Sequence, residues 1–416
     1  MRVLERWDVK SLARNIFCLA GFVGFSAASA GPVGSTAPGS PQQQFSDPAQ
    51  LEIEGRQPTG TGETLPDTGL DAETAATEFD LRDVNFVGVT KFAVAELRSD
   101  WSALIGRRVT VGEVYEKTNA LRAAYRNEGY LLAQVVTNVD PEAGVVTVDV
   151  IEGDVGAVNF QRGVTGRDGM LDAIGERIAE SSPLDVNVLE RELLRLNDLP
   201  GVTAYVIPEG PQVVGQNARL DVYMDHKTID FEVGVRNRAS ELIGPEQYDL
   251  TWNFNSLFRA YENTQLRFVT SGDERLRFGS IDHTQVLGSK GTRLTLSYAT
   301  SSSEPDLGTD FSQFNLVTDN DSASIGLTFP VKRSRASNLS FRTRLTYQES
   351  VTDETGFTLT EDNIAALRVG VTYDRIDQWF GGRGLNLIDF EVSQGIDALS
   401  SSEPDSPLSS RSGGQP

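Results

Sequence analysis

Residues able to do chemistry are sparse in this 416-residue chain, and their spacing builds no catalytic constellation. The two histidines, His226 and His283, lie far apart and lack an evident partner for acid–base or ligand duty. His226 reads as a polar residue at a strand end. Asp221, Asp225 and Asp230 could in principle offer oxygen ligands to a cation. In a chain of formal charge −22, carboxylates along a strand and turn read as solvated, and no metal is expected. Gly381-Gly382-Arg383-Gly384 has the composition of a phosphate cradle, but a strand follows it, so no helix N-terminus faces an anion. That segment reads as a turn, and Ser301-Ser302-Ser303 as a loop. No enzymatic activity and no cofactor are expected. The acidic balance repels phosphate backbones and argues against nucleic acid as a partner.

The elements around these residues point outside the cytoplasm. Arg2, Arg6, Lys10 and Arg14 precede an apolar core from Ile16 to Phe25, and Ala28-Ser29-Ala30 has the small residues of a cleavage site. Residues 1–30 therefore read as a secretory signal peptide. Cys18, the single cysteine, falls inside it, so the mature chain is expected to lack disulfides and thiolate sites. Residues 31–77 are rich in Pro, Gly, Ser, Thr and Gln and read as a flexible linker, with a possible short helix at Asp47–Gly55.

Residues 78–153 and 154–226 then repeat one β-α-α-β-β order. The first copy opens with Val84-Asn85-Phe86 and the second with Val158-Asn159-Phe160. In the first, Val94, Leu97, Trp101 and Leu104 share a helical face. Thr110-Val111-Gly112-Glu113 is a capping box, and Gly129 sits where a left-handed helix terminus is wanted. Strands follow at Leu131–Val139 and Val145–Ile151, joined by the Asp140–Gly144 turn. In the second, Leu171, Ile174 and Ile178, then Leu189, Leu193 and Leu196, mark two helices that end at Leu199-Pro200-Gly201. Such a small sheet leaves edge strands able to pair with an extended polypeptide. The candidate cargo-binding residues on these edges are Gln134, Val136 and Asn138 in the first copy, and Val202, Ala204 and Val206 in the second. The alternative is that these edges pack against the neighbouring module.

Over residues 227–416 the period becomes two. Tyr248, Leu250, Trp252 and Phe254 alternate with Asp249, Thr251, Asn253 and Asn255, and about nine such runs occur. The last breaks phase between Leu387 and Ile388. No apolar run reaches the roughly 20 residues of a transmembrane helix, but a barrel strand needs only about 10 with every other one apolar. Alternation alone fits a sandwich core as well as a lipid-facing barrel. Aromatics near strand ends favour the barrel, as do connections ranging from short (Ser271–Glu274) to long and polar (Thr300–Ser322, Ser350–Asn363).

Tyr125-Arg126-Asn127-Glu128-Gly129-Tyr130 and Val148-Asp149-Val150-Ile151-Glu152-Gly153 resemble the signature of a polypeptide-transport-associated (POTRA) domain of two-partner secretion transporters, the hemolysin secretion/activation family. Tyr373-Asp374-Arg375 and Ser393–Leu399 resemble barrel-wall segments of that family. The resemblance implies two periplasmic POTRA domains, an outer-membrane barrel of sixteen strands, and ATP-independent export of a large unfolded secreted partner. It also implies a monomer in outer-membrane lipid. The alternative role on this architecture is outer-membrane protein assembly or insertion. The family's Val-Arg-Gly-Tyr/Phe lumen-loop motif does not occur, about nine strands stand in place of sixteen, and the last residues read as polar coil. The expectation is a partial chain.

Overall fold

A computed structural model describes residues 71–162, 168–209, 217–308, 315–377, 384–397 and 406–409. The signal peptide, most of the linker, the helix at Asp47–Gly55 and the turn at Gly381–Arg383 lie outside these residues. The linker's last stretch carries one helical turn, α1 (Ala72–Ala75), closed by Asp71 accepting from the Thr74 amide at 2.8 Å.

The first module places β2 (Asp83–Val87), β5 (Val145–Ile151) and β4 (Gln134–Asp140) in one sheet in that order. The β2–β5 pair is parallel and β4–β5 antiparallel. Helices α2 (Val94–Trp101) and α3 (Val111–Asn127) cover one face and enclose Leu81, Val84, Trp101, Val114, Tyr125, Val146 and Val148. The capping box forms as the sequence predicts: Thr110 Oγ1 accepts from the Glu113 amide, and Glu113 Oε2 accepts from the Thr110 amide. Gly129 stands at φ +95°. One feature of this module is additional to the predicted order. Residues 78–80 form β1, which pairs antiparallel with a short β3 (Arg108–Thr110) leading into α3.

The second module repeats the plan with β6 (Val155–Arg162), α4 (Asp168–Ala179), α5 (Val186–Asn197), β7 (Val202–Glu209) and β8 (Ala218–His226), in sheet order β6-β8-β7. Leu171, Ile174, Ile178, Leu196, Leu220 and Val222 form its core.

Nine antiparallel strands follow as a meander in which each pairs with its sequence neighbours, from β9 (Ile229–Arg236) through β10 (Gln247–Asn255), β11 (Glu262–Ser271), β12 (Leu276–Val286), β13 (Arg293–Ser303), β14 (Leu316–Lys332), β15 (Ser337–Glu354) and β16 (Phe357–Asp377) to β17 (Gly384–Gly395). One face carries Phe231, Val233, Ile281, Phe341, Val369 and Val392, all exposed among the described residues. A continuous exposed apolar face of this extent has the character of a barrel's outer wall. The opposite face is polar: Asp249 accepts from Arg236 and Arg267, and Arg342 pairs with Asp389 and Glu391.

Three connections differ from expectation. Ser350–Asn363 is no long loop: β15 and β16 run on to Glu354 and Phe357 and turn through Thr355 and Gly356, at φ +50° and +86°. Two consecutive positive φ values make the tight hairpin turn that matches strand twist, so polar Thr and Asp residues continue the ladder. Ser301–Ser303 is likewise strand, paired on one side with Leu276–Phe278 and on the other with Thr318–Asn320. The short Ser271–Glu274 turn lies at the end of the sheet away from the modules, and β17 pairs with β16 in unbroken register through Leu387 and Ile388.

Candidate functional site

The signature residues of the first module meet in space. Glu152, buried at the end of β5, accepts from the Thr90 amide (2.7 Å), the Lys91 amide (2.9 Å), Tyr125 Oη (2.7 Å) and the Thr90 hydroxyl. Burial alone would push this carboxyl up, but the donors outweigh it and hold Glu152 below the usual carboxylate range. Burial, then the hydrogen bond to Glu152, pushes the Tyr125 phenol well up. The adjoining glycines join the modules. The Gly129 carbonyl accepts from the Val186 amide at the start of α5 (3.0 Å), and the Gly153 carbonyl accepts from the Leu184 amide (3.3 Å). A Cβ on Gly129 would press on Asp185 and Val186 at 3.3 Å. Tyr125, Gly129, Glu152 and Gly153 are thus the fastening of one module to the next.

The second module is in turn fastened to the sheet. Tyr261, from the turn between β10 and β11, and Val286, the last residue of β12, are buried in its core. Arg333, between β14 and β15, donates to both oxygens of Asp198 at 2.7 and 2.5 Å, and the Arg335 amide donates to Glu190 at 2.9 Å. Arg177 on α4 donates to Ser289 Oγ and to its carbonyl, each at 2.9 Å, while holding Glu192 of α5. A cavity of about 200 Å³ lies at this junction, lined by Asp198, Arg293, Arg333, Asp374 and Leu387. The bidentate Asp198–Arg333 pair is mostly buried, which favours a real contribution over the near-zero value of surface pairs. Asp198→Ala is expected to weaken this docking by about 2 kcal/mol, seen as faster amide exchange in residues 333–338 with exchange in the first module unchanged.

The edges hold the cargo-binding candidates differently. β4 and β7 are outer strands of their sheets. Val136 and Asn138 are exposed and Gln134 half-buried on the face away from the helices. The Val135 and Thr137 carbonyls, however, accept from Arg122 (3.0 Å) and Tyr115 (3.4 Å) of α3. On β7 the side chains of Val202 and Ala204 are buried and that of Val206 half-buried, facing the core. Asn197 plugs the edge there: its Oδ1 accepts from the Ala204 amide and its Nδ2 donates to the Ala204 carbonyl, both at 2.9 Å. The Ala204 backbone groups that strand addition there would use are thus already hydrogen-bonded. The outward face of β7 instead shows Thr203, Tyr205 and Ile207, with the Tyr205 ring stacked on Tyr223 at 5.3 Å. Nothing in the spacing of the α5 residues marks Asn197 for this role.

The histidines and aspartates stay apart. His226 ends β8 and His283 lies in β12 beside Thr264. Asp221 accepts from Asn159 and Asp230 from Lys227. Among the described residues no three His, Cys, Asp or Glu side chains gather as a metal site.

Comparison with known proteins accords with this geometry. The family description "POTRA domain, ShlB-type" matches residues 79–153. The heme/hemopexin transporter protein HuxB of Haemophilus influenzae (strain 86-028NP) is 22% identical over 272 residues, 64% of this chain and 47% of HuxB. Residues 79–153 thus match a POTRA domain of the ShlB type, and the chain is similar to a transporter protein over 272 residues. The same protein from strain ATCC 51907 / DSM 11121 / KW20 / Rd is 22% identical over 191 residues, 45% of this chain and 34% of that one. CdiB from Escherichia coli shares the fold, with TM-score 0.55 at 16% identity, over 88% of this chain and 67% of CdiB. The chain spans about half the length of the curated relative it matches over most residues.

Proposed function

We propose that the protein passes a secreted partner polypeptide, in unfolded form, across the outer membrane, with the POTRA modules at 78–153 and 154–226 receiving the chain and the barrel wall guiding it. The observation that carries this reading is the docking at Asp198–Arg333 and Arg177–Ser289. It holds the second module against the periplasmic turns of the sheet, beside a polar inner face and a lipid-facing outer one. A polypeptide held by the modules is thereby presented to the polar face. That face offers uncharged hydrogen-bonding groups such as Ser322, Thr346 and Gln348, all half-buried, alongside paired charges, a lining that contacts a passing chain without trapping one side-chain type. The protein acts as a monomer embedded in outer-membrane lipid.

Deleting the gene in its host is expected to remove one large protein from the culture medium, with recovery when the gene is returned. An unchanged set of secreted proteins would sink the proposal. Depletion of many integral outer-membrane proteins instead would mark an assembly factor.

A further inference from the structure

Each small sheet ends in two outer strands, and three of these four are blunted. Asn197 plugs β7, Arg122 and Tyr115 cap β4, and Arg98 on α2 donates to the Val84 carbonyl of β2 at 3.1 Å. β2 and β4 also carry Asp83 and Asp140, and β7 carries Pro208, residue types that discourage pairing. β6 shares only the end devices, Arg162 at its last position and a register shift at its start, and among the described residues lacks the capping side chains of the other three. From Val155 to Gln161 it holds no charged residue and no proline, in a chain of net charge −22. Its inner side pairs with β8. Among the described residues no side chain or backbone group caps its outward amides and carbonyls. A register shift between Val155 and Ala157 marks its start, and regular pairing then runs from Ala157 to Arg162.

We infer that β6 is the edge on which the second module takes up an extended segment of the secreted polypeptide, and that this segment alternates apolar with amide or hydroxyl side chains. The inference rests on the transport reading above. Backbone pairing supplies the affinity, and the neighbours on each face set the side-chain preference. On the helix side an added strand meets Val158 and Phe160, both half-buried against the core. Gly175 of α4 brings that helix close over the Phe160 ring, since a Cβ there would stand 3.2 Å from Cε2. Apolar side chains fit that side. On the other face the neighbours are the exposed Asn159 and Gln161, which favour Asn, Gln, Ser or Thr opposite them.

The test uses the full chain in detergent micelles and a fluorescent decapeptide alternating valine with asparagine and threonine. Saturating peptide is expected to slow amide exchange within residues 157–161 by about tenfold or more, with residues 202–207 and 134–140 unchanged. Methylating alternate peptide nitrogens should abolish binding, because one edge then loses its donors. Asn159→Lys with Gln161→Lys, both at exposed positions, should weaken binding by about tenfold. Protection on β7 or β4, no binding by the unmethylated peptide, or indifference to the two lysines would each overturn the inference. Loss of secretion on gene deletion combined with any of these results leaves the transport reading standing and removes only the role of β6. Protection of β6 without a secretion defect does the reverse.

Discussion

Glu152→Gln is expected to destabilise the first POTRA module by about 3 kcal/mol, read as faster amide exchange across α3 and β5 in the full chain. The carboxylate accepts four hydrogen bonds, from Thr90 twice, Lys91 and Tyr125. A glutamine can keep its oxygen toward the Thr90 amide, Lys91 amide and Tyr125 hydroxyl and donate its NH₂ to the Thr90 hydroxyl. The loss therefore comes from replacing charge-assisted bonds with neutral ones. Tyr125→Phe removes a single donor and should cost about half as much. The pH dependence follows from the direction of the Glu152 shift. Its folded-state value lies below the unfolded one, so the unfolded chain binds the proton more readily. The stabilisation is full above the ordinary carboxylate value and disappears as pH falls through the lowered folded value. Wild type should therefore lose stability on acidification in that window, and Glu152→Gln should follow a flatter curve. Parallel curves for the two proteins would show that Glu152 is not the titrating group. Because Gly153 adjoins Glu152 and its carbonyl accepts from the Leu184 amide, the variant should also loosen the joint at Leu184.

Short-range chemistry made much of this architecture legible in the sequence. Thr110 and Glu113 lie three residues apart, so their reciprocal bonds need only a helix between them. Alternation of Tyr248, Leu250 and Trp252 with Asp249 and Thr251 forces one face each way in any strand. What escaped were contacts between groups distant in sequence. Asn197 seals Ala204 only because α5 ends beside β7, and Arg333 finds Asp198 across 135 residues. Polarity misled at Ser350–Asn363: Thr352, Thr358 and Thr360 look like loop residues yet are good strand formers, and the turn needed only Thr355-Gly356. The signature residues Tyr125 and Glu152 were visible as a pattern, whereas their bond to each other required the fold. Edge strands were located correctly in order but not in availability, since availability depends on which side chains reach the free backbone groups.

The largest destabilisation of the second module is expected from Glu192→Leu, about 4 kcal/mol. Glu192 is fully buried on α5 and accepts from Arg177 (2.7 and 3.1 Å), Arg195 (2.6 Å) and more distantly Arg191 (3.4 Å). Three guanidiniums around one carboxylate leave the cluster with excess positive charge. Removing the only anion at its centre therefore strands Arg177 and Arg195 in partial burial without compensation. Leucine fills similar volume, so the loss reports charge and not cavity. Glu192→Gln retains hydrogen-bond acceptance and should cost less, separating the ionic from the geometric contribution. The effect should also travel into the barrel. Arg177 divides its donors between Glu192 and Ser289, so a guanidinium freed from Glu192 no longer holds the 287–292 turn in place. Faster exchange in both α4 and that turn is the expected signature, with β15 and β16 unchanged. An effect confined to α5 would mean that Glu192 serves its own helix alone and that docking rests on Asp198 and Arg333. Because the carboxylate is sealed from solvent, the loss should persist at high salt, whereas the partly accessible Asp198–Arg333 contact should weaken as salt rises.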